Sequence, residues 1–287
     1  MTCCVAVICD DGKTIVMVAD RMVGIGIIES EPAISKLREL HKGWWVLFAG
    51  DDISSIFDVV DYARLQIQER KKAEHADVDS PISLRVATEA IQGAYQRKRM
   101  EDAETLYLRP IGLDIKSINS EGYARPDFKE VVEKLQAHSL PIEMLVAGFS
   151  EGQAHLFTLI GYGEQKGLAR RLDIPGFSCI GSGGLGADYM LYYRDMGPKK
   201  QLREALYYAM EAKIFGEQAS GVGEDTDAYI ATADGKFIPL DEKKSIEGAL
   251  VKVWNLLRPH RIGKNSRELL NSIPELDEFP KLETEKS

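Results

Sequence analysis

Thr2 follows the first methionine directly and opens a strand-like run of apolar and cysteine residues that extends to Cys9. Removal of Met1 would leave a threonine as the N-terminal residue. A free α-amine has a reference pKa of about 8, well below that of lysine, so near neutral pH it can accept the proton of its own residue's hydroxyl. One residue would then supply both nucleophile and base. In many chains that begin Met-Thr, however, the threonine is only a processed terminus or the start of a strand.

A predicted hairpin brings charged residues towards this terminus. An Asp-Gly turn signal separates the first strand from a second β-branched run, and a turn centred on it places Asp20 opposite Cys3. Arg21 then lies opposite Thr2. The register therefore predicts a carboxylate beside the N-terminus.

A second predicted hairpin joins residues 33–40 to an apolar strand at 44–49 through a Lys-Gly turn. This turn places Lys36 opposite Ala49 and next to Gly50. A helix start rich in acidic and hydroxyl residues follows. A glycine at such a junction can present an unobstructed N–H at the positive end of a helix dipole, which suits a developing oxyanion. The sequence predicts that the lysine, the backbone donor and the helix end lie close together.

The spacing of these residues resembles the active-site layout of proteasome β-subunits, which are N-terminal-nucleophile (Ntn) hydrolases. The matching positions are Thr2, Ala19-Asp20-Arg21, Lys36, Ala49-Gly50, Leu145 to Phe149, His155 to Leu159, and Ile180-Gly181-Ser182-Gly183. Together the matching segments cover roughly residues 2–72, 142–196 and 200–240. Several anchors in the same order are more specific than any one of them.

The resemblance implies a role for each matching residue. Thr2 would be nucleophile and base, and Lys36 would lower the pKa of its amine and hydroxyl as a nearby cation. Asp20 would orient and pair Lys36. Gly50 would donate to the oxyanion, and Ser182 would hydrogen-bond near the terminal amine and help to transfer its proton.

One pair of family positions has no clear match in this sequence. Glu217 with Ser220 fits the remaining acidic and serine positions best, although the family usually has aspartate in the first of them. Asp225 or Asp227 could fill the acidic role instead.

The order of elements, in which strands precede two helices and the arrangement is then repeated, predicts an α+β fold with two antiparallel sheets between helical layers. The predicted strands are 2–9, 14–20, 33–40, 44–49, 142–149, 153–160, 226–232 and 236–239, and the predicted helices are 53–71, 82–105, 185–195 and 200–215. The resemblance implies the four-layer αββα sandwich of Ntn hydrolases. Trp44, Trp45 and Phe48 are expected in the core between the sheets.

We expect one catalytic domain over residues 1–243, with an insertion at about 100–141 that common β-subunits lack. Residues 244–287 would form a C-terminal extension with one helix and a polar tail. No propeptide precedes Thr2, so maturation would need only the removal of methionine. The insertion and the extension would modify subunit contacts or substrate access.

Composition excludes several classes of function. The chain has 287 residues, and its 45 acidic and 36 basic residues give a formal charge of −9, which argues against general nucleic-acid binding. The sequence lacks both a run of about twenty apolar residues and a signal peptide, so we expect a cytoplasmic protein without a membrane partner. Cys3 and Cys9 would lie about 20 Å apart in one strand and could not share an ion. No metal or other cofactor is expected.

Two motifs suggest other functions. Residues 181–186 satisfy G-x-G-x-x-G after a strand and before a helix, but the parallel strand that a dinucleotide site requires does not follow. Residues 148–152 satisfy G-x-S-x-G, yet a returning strand follows in place of a helix, which favours a hairpin turn. His155 is therefore not expected to act as a triad base.

The resulting hypothesis is a threonine-type peptidase that hydrolyses peptides or polypeptides through an acyl-enzyme on Thr2. The resemblance implies a homo-oligomeric ring, with any ATPase partner left open. Apolar residues on adjacent faces of one helix exceed a single core face and suggest a subunit contact: Leu206, Tyr207, Tyr208 and Met210. The alternatives are an amidase of the same fold acting on a small metabolite and an inactive structural ring subunit.

Overall fold

The computed structural model describes residues 2–21, 23–25, 28–30, 35–116, 128–219, 222–223, 225–240, 252–254, 268 and 270–272. Ser220, the first residues of the predicted strand 33–40, the centre of the predicted insertion and most of the predicted C-terminal extension lie outside the described residues.

The predicted strands and helices occur in the predicted order. The structure adds short strands at 23–25, 28–30 and 169–171 and a helix at 128–137, which were not predicted. The strands are β1 (Cys4–Cys9), β2 (Thr14–Asp20), β3 (Val23–Ile25), β4 (Ile28–Ser30), β5 (Leu37–His41), β6 (Trp44–Gly50), β7 (Ile142–Ser150), β8 (Gln153–Ile160), β9 (Ala169–Arg171), β10 (Phe177–Ile180), β11 (Thr226–Thr232) and β12 (Phe237–Leu240). The α-helices are α1 (Ile53–Ala73), α2 (Leu84–Ala103), α3 (Phe128–Ala137), α4 (Gly184–Tyr193) and α5 (Leu202–Gly216).

The strands form two five-stranded sheets, in the orders β10-β1-β2-β11-β12 and β5-β6-β7-β8-β9, besides the small pair β3-β4. Neighbouring strands are antiparallel in every pairing. The predicted α+β class with two antiparallel sheets is confirmed. Because β10 pairs antiparallel with β1, the segment around the glycine motif at 181–186 does not have the parallel βαβ topology of a dinucleotide site.

Side chains alternate across the strands and fill three separate cores. In β1, Cys4 and Ala6 face a core that also contains Trp45 and Leu47 of the other sheet. The intervening β1 residues, among them Val5, lie in a second core with α4 and α5. A third core joins α1 and α2 to the second sheet.

The expectation that three aromatic residues fill the space between the sheets is correct only for Trp45. Trp44 and Phe48 lie in the core under α1 and α2. The reason is the period of two in β6, which turns Trp44 and Phe48 to one face and Trp45 to the other.

The register of the first hairpin is confirmed. Cys4 pairs with Ala19 and Cys9 with Thr14, which is the alignment that a turn centred on Asp-Gly requires. Beyond the strand end, the Asp20 backbone N–H donates to the Cys3 carbonyl at 3.1 Å. Asp20 is therefore held opposite Cys3, as predicted.

The predicted register of the second hairpin is wrong by one residue. The pairing of β5 with β6 shifts between Glu39 and His41, which marks a β-bulge. Lys36 is consequently not opposite Ala49; its carbonyl accepts a hydrogen bond from the Phe48 backbone N–H at 3.3 Å. A simple alternating pattern gives no signal for one extra residue, so the bulge was not predictable from the turn alone.

The G-x-S-x-G segment at 148–152 contains a two-residue hairpin turn. Ser150 pairs with Gln153, so Glu151 and Gly152 form the two-residue turn between β7 and β8. Both have positive φ, 53° and 72°, as a type I′ turn requires. The prediction of a hairpin turn is confirmed.

The apolar residues of α5 do not mark a subunit contact. The four residues predicted to be in excess are all buried inside this chain: Leu206, Tyr207, Tyr208 and Met210. The helix lies against β1, β2 and α4, and Val253 and Leu270 belong to the same core. More than one side of α5 is therefore covered by other parts of the chain. The predicted excess of apolar residues assumed that the helix buries only one face.

The described parts of the predicted insertion and extension both pack. Leu108, Leu113 and Val131 form a small cluster of their own. Arg203 of α5 is fully buried and donates to the carbonyl of Leu270. The proposed domain division stays a prediction. Within the described ranges, no helix combines the length and apolar character needed to cross a bilayer.

Candidate active site

A buried lysine connects the first threonine to an aspartate. The Lys36 Nζ atom lies 2.7 Å from Thr2 Oγ1 and 2.9 Å from Asp20 Oδ2. Thr2 is 5% exposed, Lys36 is 4% exposed and Asp20 is fully buried. In this desolvated setting the cation acts on the threonine hydroxyl with little screening by water. The structure thus brings together the three residues that were predicted to act together.

Backbone donors fix the position of the Asp20 carboxylate. Oδ1 accepts from the Cys3 N–H at 2.7 Å, and Oδ2 accepts from the Gly223 N–H at 3.3 Å as well as from Lys36. A buried carboxylate is tolerated when its oxygens accept hydrogen bonds and pair with a cation. Asp20 therefore holds Lys36 by both charge and orientation.

The Gly-Ser-Gly turn after β10 surrounds the backbone of Thr2. The Thr2 nitrogen lies 3.2 Å from Ser182 Oγ, and the Gly183 N–H donates to the Thr2 carbonyl at 3.0 Å. Gly181 has a φ of +87°, and a Cβ at this position would lie 2.3 Å from the Thr2 carbonyl oxygen. Only glycine fits there, and its lack of a side chain allows the turn to pack closely against the Thr2 backbone.

Gly50 ends β6 on the same side of the molecule. A hydrogen bond of 3.5 Å from Cys4 Sγ to the Phe48 carbonyl ties the start of β1 to the end of β6. Gly50 has a φ of +138°, and a Cβ there would collide with the Pro141 carbonyl at 2.3 Å. The residue is exposed, and α1 begins shortly after it, with Asp52 accepting from the Ser55 N–H at the helix N-terminus. The glycine is required by backbone geometry at the predicted donor position.

Glu217 lies at the C-terminal end of α5, where its carboxylate accepts from Lys213 Nζ at 2.6 Å. Ser220 lies outside the described residues, so its predicted role with Glu217 stays a prediction. The two alternative acids both interact with Arg21. Asp227 Oδ1 accepts from Arg21 Nε at 2.8 Å, and the Asp225 carbonyl accepts from the Arg21 N–H at 3.2 Å.

Lys213, which was not predicted as a site residue, contacts both Glu217 and the loop beside Asp20. Lys213 is fully buried, and its Nζ also donates to the Gly223 carbonyl at 2.9 Å, while the Gly223 N–H donates to Asp20. Lys213 thus positions the peptide that contacts the Asp20 carboxylate. The spacing of Lys213 and Glu217, four residues apart on a helix, was the signal that could have identified this pair.

Glu143 of β7 was missed as well. Its Oε2 accepts from the Gly181 N–H at 2.7 Å, and its Oε1 accepts from the Tyr162 hydroxyl. The carboxylate therefore helps to hold the turn that contacts Thr2. Nothing in the alternating pattern of β7 distinguishes this glutamate from an ordinary polar strand residue.

We expect the substitution Lys213→Met to lower the free energy of unfolding by about 3 kcal/mol, because it breaks a buried ion pair. This value is the lower end of the usual range, since Glu217 keeps partial access to water. The Gly223 carbonyl would also lose a donor. Chemical denaturation monitored by circular dichroism measures the change. Lys129→Met, which alters a lysine whose side chain is 90% exposed, is the matched control and should change the free energy little. Equal stability of the two variants would contradict the structural role of Lys213.

The neighbouring cysteines are not competing nucleophiles. Burial, together with the nearby charge of Asp20, raises the pKa of the Cys3 thiol to about 12. Burial also raises the pKa of Cys4 and of Cys9 well above its usual value. Thiolates are therefore scarce at neutral pH. Among the described residues, no group of histidine, cysteine and acidic side chains is arranged to hold a metal ion.

Comparison with known proteins adds no family assignment to this geometry. None of the protein-family models matches this chain, and no curated protein sequence is significantly similar to it.

Proposed function

We propose that this protein is a threonine-type N-terminal-nucleophile peptidase that resembles proteasome β-subunits. The observation that carries the proposal is the contact of 2.7 Å between Lys36 Nζ and Thr2 Oγ1, with Asp20 bound to the same lysine. A buried cation at this distance favours the alkoxide character that a threonine hydroxyl needs for attack.

The reaction would begin after removal of Met1, because an amide nitrogen is not a base. Thr2 Oγ1 attacks the carbonyl carbon of the scissile amide while its proton passes to the Thr2 amine. The Gly50 N–H would donate to the oxyanion of the tetrahedral intermediate. The C–N bond then breaks, the leaving amine takes the proton, and an ester remains on Oγ1. Water attacks this ester, releases a carboxylic acid and restores the hydroxyl.

In this proton transfer Ser182 would act on the Thr2 amine and Lys36 on the Thr2 hydroxyl. Ser182 Oγ lies 3.2 Å from the Thr2 nitrogen, which suits a hydroxyl that relays a proton to and from the amine. Lys36 Nζ contacts Thr2 Oγ1 and would stabilise the negative charge that develops on this oxygen. Asp20 touches neither Thr2 Oγ1 nor substrate in this scheme and is a positioning residue.

The packing of the sheets supports the four-layer αββα sandwich of Ntn hydrolases as the fold. One core joins α1 and α2 to the second sheet, one joins the two sheets, and one joins the first sheet to α4 and α5. Elements that alternate in this way correspond to helix, sheet, sheet and helix layers.

The proposed assembly is a homo-oligomer in the cytoplasm, as in the family that the sequence resembles. Its support in this chain is an apolar face on α4, where Leu185, Tyr189 and Tyr193 are 66%, 65% and 69% exposed. Such a patch on a protein surface is typical of an interaction site. Sedimentation should give a particle several times heavier than the 32.0 kDa chain, and Tyr189→Glu should dissociate it, whereas Leu168→Glu at another exposed site should not. A monomer at micromolar concentration would contradict the proposal.

The peptidase proposal is tested by labelling the purified protein with a peptide epoxyketone, a reagent that requires both the amine and the hydroxyl of an N-terminal threonine. N-terminal sequencing should begin at Thr2, and mass spectrometry of the digested protein should locate the adduct on that residue. A retained Met1 together with an absent adduct would contradict the mechanism, because the base would be blocked.

An amidase acting on a small metabolite is the second candidate. The observation that favours it is the low exposure of Thr2, 5%, which leaves little surface for an extended polypeptide. Hydrolysis of small amides without cleavage of peptides, in a protein that still forms the Thr2 adduct, would select this alternative.

A further inference from the structure

A cavity of about 740 Å³ opens between the edge strands β5 and β12 of the two sheets. The turns from β5 to β6, from β7 to β8 and from β11 to β12 contribute to its mouth. This is the end of the sandwich where β1 also turns into β2, since Lys13 Nζ donates to the Gly152 carbonyl there. Thr2 lies at the opposite end of β1. The volume is in the range of small-molecule sites, about 300–1,000 Å³.

Aromatic side chains from both sheets form the wall of the cavity. Trp45 and Phe237 stack with ring centroids 5.1 Å apart, and Phe149 and Leu37 contribute further apolar surface. Phe237 remains 38% exposed. Phe237 also stacks on Tyr229, with ring centroids 5.5 Å apart, so the exposed part of its ring adds apolar surface to the wall.

The charged residues at the rim are mainly acidic. Glu39, Asp79 and Glu151 contribute carboxylates, whereas Lys42 is the single basic residue among the described residues that line the cavity. Lys13 lies close by, with its Nζ on the Gly152 carbonyl. Carboxylates at the rim of an apolar cavity favour a cation joined to an apolar body, because their negative charge attracts the cation while the apolar part lies against the wall. An anion of the same shape would meet repulsion at the same rim.

We propose that this cavity binds an organic cation, an amine or quaternary ammonium group joined to an apolar body. The apolar part would lie against Trp45 and Phe237, and the cationic group would lie at the rim near Glu39 and Glu151. The proposal is independent of the chemistry of Thr2, because none of the residues in the Thr2 site lines the cavity.

The test uses two probes with the same ring system and opposite charge, 2-naphthylethylamine and 2-naphthylacetate. Isothermal titration calorimetry at low ionic strength should detect saturable binding of the amine with one site per chain. The acetate should bind at least about tenfold more weakly, because a like charge at the rim opposes it. Absence of saturable amine binding, or equal affinity for the two probes, would overturn the proposal.

Variants locate the binding. Ala233→Phe places a large side chain at the cavity lining and should weaken amine binding at least about tenfold, whereas Ala73→Phe, at an exposed position of α1, should not. Glu151→Gln should weaken binding of the amine, and Glu133→Gln on α3 should leave it unchanged. Melting temperatures close to that of the unsubstituted protein show that each variant is folded. Unchanged amine affinity in both Ala233→Phe and Glu151→Gln would place the ligand elsewhere and contradict the proposal.

Discussion

Replacing Thr2 by alanine is expected to abolish acylation, because the substitution removes the hydroxyl that would form the ester and leaves the amine without a nucleophile to activate. Turnover of peptide-amide substrates should fall to background, a loss of about 10⁴-fold or more. The epoxyketone adduct should also disappear. Both are measured on the purified variant, by fluorogenic assay and by mass spectrometry.

Two further variants make this result specific. Thr2→Ser keeps the hydroxyl and the amine and should retain part of the activity. Thr105→Ala removes an exposed threonine hydroxyl far from the site and should leave the rate unchanged. Full activity of a folded Thr2→Ala protein, with its N-terminus verified by sequencing, would exclude Thr2 as the nucleophile.

Replacing Lys36 by methionine is expected to lower the rate by about 10²–10⁴-fold, the range for the loss of one group that assists proton transfer. Methionine preserves much of the side-chain volume but removes the cation that lies 2.7 Å from Thr2 Oγ1. The variant also leaves the buried Asp20 carboxylate without its ion-pair partner, so stability should fall too.

The effect of losing the cation beside Thr2 can be separated from the loss of stability with a double variant. In Lys36→Met/Asp20→Asn the unpaired carboxylate is replaced by a neutral amide, so the melting temperature should recover towards that of the unsubstituted protein. Activity should remain low, because the cation beside Thr2 is still absent. Lys72→Met, at an exposed lysine of α1, should affect neither quantity. Recovery of the rate together with stability would show that Lys36 acts only on the fold.

Local sequence determined the parts of this molecule that depend on neighbours along the chain. The two-residue Asp-Gly turn allows one register, so the position of Asp20 opposite Cys3 could be predicted from the first hairpin alone. Periodicity likewise predicted α1, α2 and the β7–β8 hairpin to within a few residues. The placement of Lys36 near Thr2 came from the order and spacing that resemble a known family, not from the predicted strand pairing, which was wrong by one residue.

Only the tertiary structure decided which distant segments meet. Glu143, Lys213 and Gly223 reach the candidate site from a strand, a helix and a loop that are far apart in sequence. The helical spacing of Lys213 and Glu217 indicates an ion pair, but no local pattern shows that any of these three residues lies near Thr2. The burial of the α5 side chains depends in the same way on segments that cover the helix from several sides. Periodicity reports which faces of an element are apolar, whereas the partner of each face is set by how the sheets and helices stack. For this reason the sequence determined the position of Asp20 opposite Cys3 and the order of strands and helices along the chain. The stacking of the two sheets decided that Lys36 lies between Thr2 Oγ1 and Asp20 Oδ2.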